Sequence, residues 1–428
     1  MKKQKPTAVP RNSITAENLI AIGIDWADRA HAFHLIDANG NVLAGDFEQT
    51  PQAIDDWVTM LRNKYPQAIF HVCIEQSKGA LISALLMHDD IHIFPINPMQ
   101  LANYRKAMNH GGAKGDPGDA RLLARFLMHY GDQLSPLQPD DEATRKLTIL
   151  AQDRRRIVDQ RTAVALELSA TLKQYFPLVL QLAQSSVLAQ FICRMLLKWP
   201  TLEKLQAAKL TTLRKFFYAQ NLRGDHIEIK LKLIDEAKPL TRDAAMLQTY
   251  AMRVKRLARL LLLDSEVIRD YDREIEKLLV DHADFPIVAS LPAAALQMRS
   301  RIIAALGTDR SRFTSARSLQ TFTGIAPVTS QSGNTRIVSH RWACPKFHKQ
   351  TFHEYAGLST TKSRWAKAYY KMMLSRGKKP QLAKRALAYK WQRIIFRCWQ
   401  DRVPYDESRY IARLQETNSS LLAFMDPE

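Results

Sequence analysis

Apolar residues fall in short unbroken blocks near the start of the chain and in helical stripes through the rest. Leu19 to Asp25 (LIAIGID) is a continuous apolar run, which predicts a strand buried on both faces. Ala30 to Asp37 alternates apolar and polar positions, and Asp37-Ala-Asn-Gly-Asn predicts a hairpin turn into Val42 to Phe47. Thr50-Pro51 pairs a capping hydroxyl with a preset φ, so a helix opens there and runs to about Lys64. Ile69 to Glu75 predicts another strand, Ala80 to His88 a helix and Ile91 to Ile96 a third buried strand, before Asn97-Pro98 starts the next helix.

Strand, hairpin strands, helix, strand, helix, strand, helix is the order of a ribonuclease-H-like α/β domain, here spanning residues 19–135 behind a basic tail over 1–18. Gly131 to Asp140 is polar and proline-containing, as expected of a linker. Residues 140–283 then predict a helical coiled-coil region. Ala143 to Tyr175 is helical and charged, and Tyr250, Val254, Leu257, Leu261, Ile268, Tyr271, Ile275 and Leu278 form a heptad seam with one polar position, Asp264. That seam packs on a partner helix either within the chain or in a second copy, and Val187 to Asp235 reads as short helices between the two long ones. Residues 284–428 predict a mostly helical C-terminal domain: short helices at Arg299 to Leu306 and Ser315 to Phe322, an irregular Gly/Pro/Ser region to about Asn334, and long basic helices from Phe347 onward. The fold class is therefore α/β plus all-α.

Charge sharpens this picture. The chain of 428 residues carries a formal net charge of +20. Leu291 to the end holds 24 Lys and Arg against 8 Asp and Glu, leaving 38 against 34 before it. A positive field concentrated in the last third points to a polyanionic partner. Cys73, Cys193, Cys344 and Cys398 are far apart and lack zinc-site spacing, so they read as reduced cysteines. No apolar run is long enough for a signal peptide or a membrane span, which predicts a cytoplasmic protein, nucleoid-associated when active, with no membrane partner.

Four carboxylates stand out against this background: Asp25 at a strand end, Glu75 at another, and Asp116 and Asp119 three apart in AKGDPGDARLLARFL. Two divalent metals about 4 Å apart can activate an attacking oxygen and stabilise a leaving one, provided several carboxylates neutralise them. Each acid also has an ordinary role; Asp116-Pro117-Gly118-Asp119 makes a good helix start by itself. Upstream, the glycines around Lys114 would let the backbone approach a phosphate.

GIDWADRAHAFHLID, CIEQSKG, KGDPGDARLLARFL, TGIAPVTSQSGNTR and AYYKMMLSRGKKPQLAKRALAYKWQRIIFRCWQDRVPYD together resemble transposases of the insertion-sequence "one-ten" family, including its "eleven-eleven" subgroup. The resemblance runs from about Leu19 to Asp406 and is weakest in the helical middle. It implies a RuvC-like domain in which Asp25, Glu75, Asp116 and Asp119 hold Mg²⁺, with Mn²⁺ as a substitute. It also implies a C-terminal serine domain whose nucleophile is Ser332, with Ser330 as the rival in register. Serine oxygen needs help at neutral pH, which the resemblance supplies as a composite site: the serine domain docks on the carboxylate domain and shares its metals. Arg336, His340 and Arg341 would steady transition-state charge there, and Lys378 and Lys379 would contact nucleic acid. The implied partners are donor and target DNA, a structured bridge RNA that guides both, and further copies of the chain in a dimer or tetramer. Basic helices interleaved with aromatics at Arg364-Trp365, Tyr369-Tyr370, Tyr389-Lys390-Trp391 and Arg397-Cys398-Trp399 offer stacking faces, although the same spacing also builds a core. One stretch departs from the family pattern. Where members carry a Gly-rich helix-hairpin-helix turn, this chain has Ser290-Leu-Pro-Ala-Ala-Ala295, which weakens the case for phosphate grip there. Two rival readings use the same residues differently. A RuvC-like junction endonuclease needs only the acids, and a non-catalytic nucleic-acid scaffold needs only the basic C-terminal third.

Overall fold

The computed structural model describes residues 19–108, 116–184 and 186–425, and the chain divides into two compact units, 1–139 and 140–428. The first unit is a mixed α/β layer structure. In chain order it has β1 (Leu19–Asp25), β2 (Ala30–Ile36), β3 (Val42–Glu48), α1 (Pro51–Lys64), β4 (Ile69–Ile74), α2 (Ala80–Leu85), β5 (Ile91–Pro95), α3 (Pro98–Met108) and α4 (Asp116–Tyr130). The sheet order is β3-β2-β1-β4-β5, with β1, β4 and β5 parallel and the β2–β3 hairpin antiparallel at one edge. The predicted turn holds because the Asp37 carboxylate accepts from the Asn39 and Asn41 amides at 2.9 and 2.8 Å, and Gly40 takes the left-handed φ of +82°. Likewise Thr50 caps α1 by accepting from the Ala53 amide at 3.2 Å.

Side-chain parity sends alternate residues of each central strand to opposite layers. Ile20, Ile22 and Ile24 of β1 join Val72 and Ile74 of β4 under α1 and α2, where Trp57, Leu61, Leu81 and Leu85 close the layer. Ala21 and Cys73 face the other way, into a core built with Leu101 and Tyr104 of α3 and Leu122, Leu123 and Phe126 of α4. Burial pushes the Cys73 thiol up to about 12, so it stays protonated and inert.

The second unit is helical apart from one hairpin. Its long helices α5 (Glu142–Tyr175) and α11 (Ala244–Val280) flank α6 (Leu178–Ala183), α7 (Gln190–Lys198), α8 (Leu202–Gln206), α9 (Leu210–Ala219) and α10 (Asp225–Glu236). Then follow α12 (Phe285–Ala289), α13 (Leu296–Leu306), α14 (Ala316–Phe322), the β6 (Val328–Ser332) and β7 (Thr335–Ser339) hairpin, α15 (Lys346–Ser359), α16 (Arg364–Ser375), α17 (Pro380–Asp401) and α18 (Glu407–Glu416). The two long helices run antiparallel, since partner numbers fall on one as they rise on the other. Gln174 accepts from the Tyr250 hydroxyl at 2.6 Å, Arg154 meets Asp272 at 2.6 Å, and Thr144 Oγ1 lies 2.9 Å from His282 Nε2. The α11 seam is thus covered inside the chain, with Val254, Leu257, Leu261, Ile268 and Ile275 buried. Its polar position, Asp264, is half-buried; burial raises its carboxyl pKa, and Arg161 partly opposes the shift.

Two cores fill this unit. One gathers the distal halves of α5 and α11 around α6 to α10; the other gathers their proximal ends around α12 to α18. Trp365, Trp391 and Trp399 are fully buried in the second core, and each indole N–H finds an acceptor, at Tyr405 Oη (2.7 Å), Ser359 Oγ (2.8 Å) and the Gly307 carbonyl (3.0 Å). These rings are core, not stacking faces. The region read as irregular up to Asn334 is instead the β6–β7 hairpin. Its residues from Thr329 to Ser339 are all exposed, so no inward apolar face existed to mark it as strand. Among the described residues no helix is long and apolar enough to cross a membrane.

Two consequences can be measured. Ala293, in the turn between α12 and α13, sits at φ +58°, a conformation that costs an alanine roughly 1–2 kcal/mol. Ala293→Gly is expected to stabilise the protein by about 0.5–1 kcal/mol in urea denaturation, the strain relieved outweighing the backbone entropy added. His71 is buried and stacks on His92 with ring centroids 5.3 Å apart, and burial, followed by the His92 charge, lowers its pKa to about 4. The native state therefore binds fewer protons than the unfolded chain below the ordinary imidazole value of about 6.5. This contribution is complete above that value and lost as pH falls toward about 4. Denaturation midpoints followed across that window should drop, and should drop less in His71→Phe.

Candidate active site

The acidic corner is built by strand register. β1 and β4 are parallel with Ile24 opposite Ile74, so Asp25 and Glu75 are the next residues on neighbouring strands at one carboxyl edge. Parity puts both on the face of Ala21 and Cys73, the face that α4 covers. Asp25 is half-buried and Glu75 exposed.

Gly23 decides how near α4 can come. A Cβ at Gly23 would lie 2.7 Å from Leu123 Cβ and closer still to the Ala120 carbonyl oxygen and the Ala124 amide nitrogen. Only the missing side chain lets the helix lie on the strand at this point. Ala120 follows Asp119 directly, and Gly23 lies two residues before Asp25. The close approach therefore sets Ala120, the neighbour of Asp119, against β1 two residues before Asp25. Asp119 is 9% exposed and takes Arg105 of α3 at 2.6 Å, an ion pair that orients its carboxylate at the positive end of the helix. Asp116 opens α4, but its side chain lies outside what the structure describes, as does the whole loop carrying Lys114. Oxygen-only donors on one edge suit a hard divalent cation. Among the described residues, however, no three His, Cys, Asp or Glu side chains stand together as a ready ligand group.

In the second unit Ser332 ends β6 and is exposed, paired with Thr335 across a turn whose Gly333 has φ +54° and open space around its Cα. Ser330 shares its face of the hairpin and is equally exposed. Arg336 pairs with Gln331 and so lies on the opposite face from Ser332. His340 and Arg341 follow the hairpin at its base. The His340 ring lies 4.0 Å from that of Trp342, and desolvation, then the charges of Arg385 and Lys349, hold its pKa below the usual imidazole range. It is neutral at pH 7 and adds no cation there, which leaves Arg341 as the permanent charge. Lys378 and Lys379 are exposed in the turn between α16 and α17, where Lys379 precedes the first turn of α17.

The base of the hairpin is pinned by a second glycine. A Cβ on Gly324, at φ +73°, would fall 2.6 Å from Cys344 Cβ, and the Lys349 ammonium donates to the Arg341 carbonyl at 2.7 Å. Sequence reasoning missed both Arg105 and this anchoring of residues 341–344. A lone arginine on an otherwise ordinary helix carries no signal, and the Gly324–Cys344 contact is visible only once the chain has folded back.

Comparison with known proteins adds two family matches. Residues 22–177 match a transposase model of the DEDD type for IS110, and residues 286–371 match the model described as transposase IS116/IS110/IS902 family. The chain is 29% identical over 400 residues to the mini-circle putative transposase for IS117 of Streptomyces coelicolor, covering 92% of this chain and 96% of that protein. It is 25% identical to an uncharacterized 42 kDa protein of insertion element IS900 from Mycobacterium paratuberculosis, and 24% identical to an uncharacterized 44.8 kDa protein of IS116 from Streptomyces clavuligerus. Each of these two matches covers 76% of this chain and 81% of the relative.

Gly23→Ala tests the close approach of α4. Forcing a methyl against a helix backbone should cost about 2–3 kcal/mol in the denaturation of the first unit, while a Gly45→Ala control on β3 should cost less. An equal cost at both positions would show that the helix contact sets nothing special.

Proposed function

By both family matches and by the names of its relatives this chain is a transposase of the IS110/IS116/IS902 family, and we propose that it is an RNA-guided DNA recombinase that cuts through a serine nucleophile. In this reading the first unit is RuvC-like and the long helix pair is a stalk. The active particle is a homo-oligomer that binds donor DNA, target DNA and a structured bridge RNA.

The observation that carries the reading is the setting of Ser332: an exposed hydroxyl at the end of β6, beside a glycine that leaves room for a phosphodiester. Its Oγ attacks a DNA phosphorus, its proton leaves, and the P–O3′ bond breaks to free a 3′-hydroxyl. The protein then holds a phosphoserine link. A 3′-hydroxyl from the exchanging strand attacks that phosphorus in turn, which breaks the Oγ–P bond and restores the serine. One phosphodiester is exchanged for another, so no external energy source is needed. Arg341 supplies fixed positive charge at the hairpin base, and Arg105 orients Asp119. Asp25, Glu75, Asp116 and Asp119 would hold Mg²⁺ or Mn²⁺, which when bound neutralises charge on the phosphate. What supports that assignment is the shared carboxyl edge of Asp25 and Glu75 and the approach of α4 permitted at Gly23. Lys114, Lys378 and Lys379 serve as phosphate contacts, in keeping with the excess of basic residues after Leu291.

Incubation with nicked or branched DNA substrates and Mg²⁺, followed by a denaturing gel, is expected to give a protein–DNA adduct that disappears in Ser332→Ala while RNA binding is retained. Persistence of the adduct in that variant would falsify the serine assignment, and its disappearance in Ser330→Ala instead would move the role by one register. Asp25→Asn should lose strand cleavage to background. Metal-dependent nicking by the wild type without any adduct would favour a RuvC-like endonuclease, and nucleic-acid binding that is unchanged in Asp25→Asn, with no cleavage by the wild type, would favour a scaffold.

A further inference from the structure

The three tryptophans that the sequence offered as stacking faces are buried, yet one large ring beside the serine hairpin is not. Trp342 is 80% exposed, three residues beyond the end of β7. An exposed indole normally sits on a mobile loop, but this segment is fastened at both sides. Cys344 is seated against Gly324, and the Lys349 ammonium holds the Arg341 carbonyl at 2.7 Å. His340 packs on the indole at 4.0 Å between ring centroids, and the Lys349 ammonium lies 6.0 Å from the ring centre. The indole is thus braced on one side and open on the rest. Cations lie beside it: Arg341 on the same segment, Lys349 on α15, and Arg385 on α17, whose charge, like that of Lys349, reaches His340.

A rigid, open aromatic ring with positive charge beside it matches an unstacked nucleobase flanked by phosphates. We propose that Trp342 is a base-stacking platform for single-stranded DNA, engaging a base of the strand opened next to the cleavage point. This assignment rests on Ser332 being the strand-cutting residue. Val328, at the base of the hairpin, pairs with Ser339, while Ser332 lies at the tip. Four strand steps separate tip from base by ~13 Å, more than one nucleotide can span in stacked DNA at ~3.4 Å per step. The stacked base is therefore a near neighbour of the scissile phosphate, not the nucleotide that carries it. The His340 ring backs the indole on one side.

The test uses the full chain and fluorescence anisotropy with a labelled single-stranded DNA oligonucleotide, its duplex, and RNA of the same sequence. Trp342→Ala is expected to weaken single-stranded DNA binding about tenfold, the loss of one base–aromatic stack, while Trp342→Phe restores most of it. Duplex binding should not change. An abasic site walked along the strand should cost the wild type the same factor at one position and cost Trp342→Ala nothing further there. Equal affinity of Trp342→Ala and wild type for the single strand overturns the proposal, as does a loss confined to RNA or a loss that is equal for duplex and single strand. The adduct assay with Ser332 variants reads a different quantity. A wild type that forms the adduct while Trp342→Ala binds normally rejects the platform alone, and a wild type that never forms it rejects the serine reading.

Discussion

A carbonyl oxygen of α4 occupies the place where a side chain on β1 would stand, and the organisation of the acidic corner follows from that contact. Gly23 is surrounded by buried aliphatic residues, Ile22 and Ile24 among them, so the strand would have formed equally well with another apolar residue at this position. The glycine weakens the strand slightly and in exchange lets the helix backbone touch the sheet. Two residues further on the strand delivers Asp25, and one residue earlier on the helix stands Asp119. The second unit repeats the device: Gly324 admits Cys344 and so fixes the segment that leaves the serine hairpin. In both places the candidate site residues rest on short loops or element ends, and a missing Cβ gives those ends a fixed origin.

Two half-buried ion clusters tie the helical base of the second unit together. Arg154 bridges to Asp272 of α11, which also accepts from Gln297 of α13 at 3.2 Å. Arg155 of α5 and Arg301 of α13 share Glu354 of α15, and burial lowers the pKa of Arg301. Pairs of this kind add little net stability, because desolvating the ions offsets their attraction. Their effect is selective: a slip of one helix along another would leave a buried guanidinium without its acid, at about 3–5 kcal/mol. The hydrophobic seams alone tolerate such slips far better, so these ion clusters set the alignment of α5, α11, α13 and α15.

Much of this was legible in the chain. Continuous apolar runs gave the central strands, Asp37 and Gly40 gave the hairpin turn, and Thr50-Pro51 gave the start of α1, because each of these signals is local. The α11 seam was also readable, but its partner was not; a heptad pattern states that a face is covered without stating by what. The β6–β7 hairpin escaped because both of its faces are exposed and polar Ser, Thr and Gln residues fill it. The aromatic-rich helices at the C-terminus looked equally suited to core or interface, and the difference lay in three indole N–H groups finding acceptors far away in sequence, at Gly307, Ser359 and Tyr405. Of the site residues, the strand-end positions of Asp25 and Glu75 could be anticipated, whereas the pairing of Asp119 with Arg105 depends on how α3 and α4 cross.

The antiparallel return of α11 along α5 brings the chain back almost to where it set out: Thr144 and His282 touch although most of the helical excursion lies between them. The distal halves of the two helices, with α6 to α10 between them, form a side-arm that carries a complete hydrophobic core of its own. Such an arm can be lengthened, trimmed or exchanged by genetic drift while the parts at its root keep their places. It is the natural location for related chains to differ in size and for a reach, fixed by helix length, to be tuned independently of the chemistry.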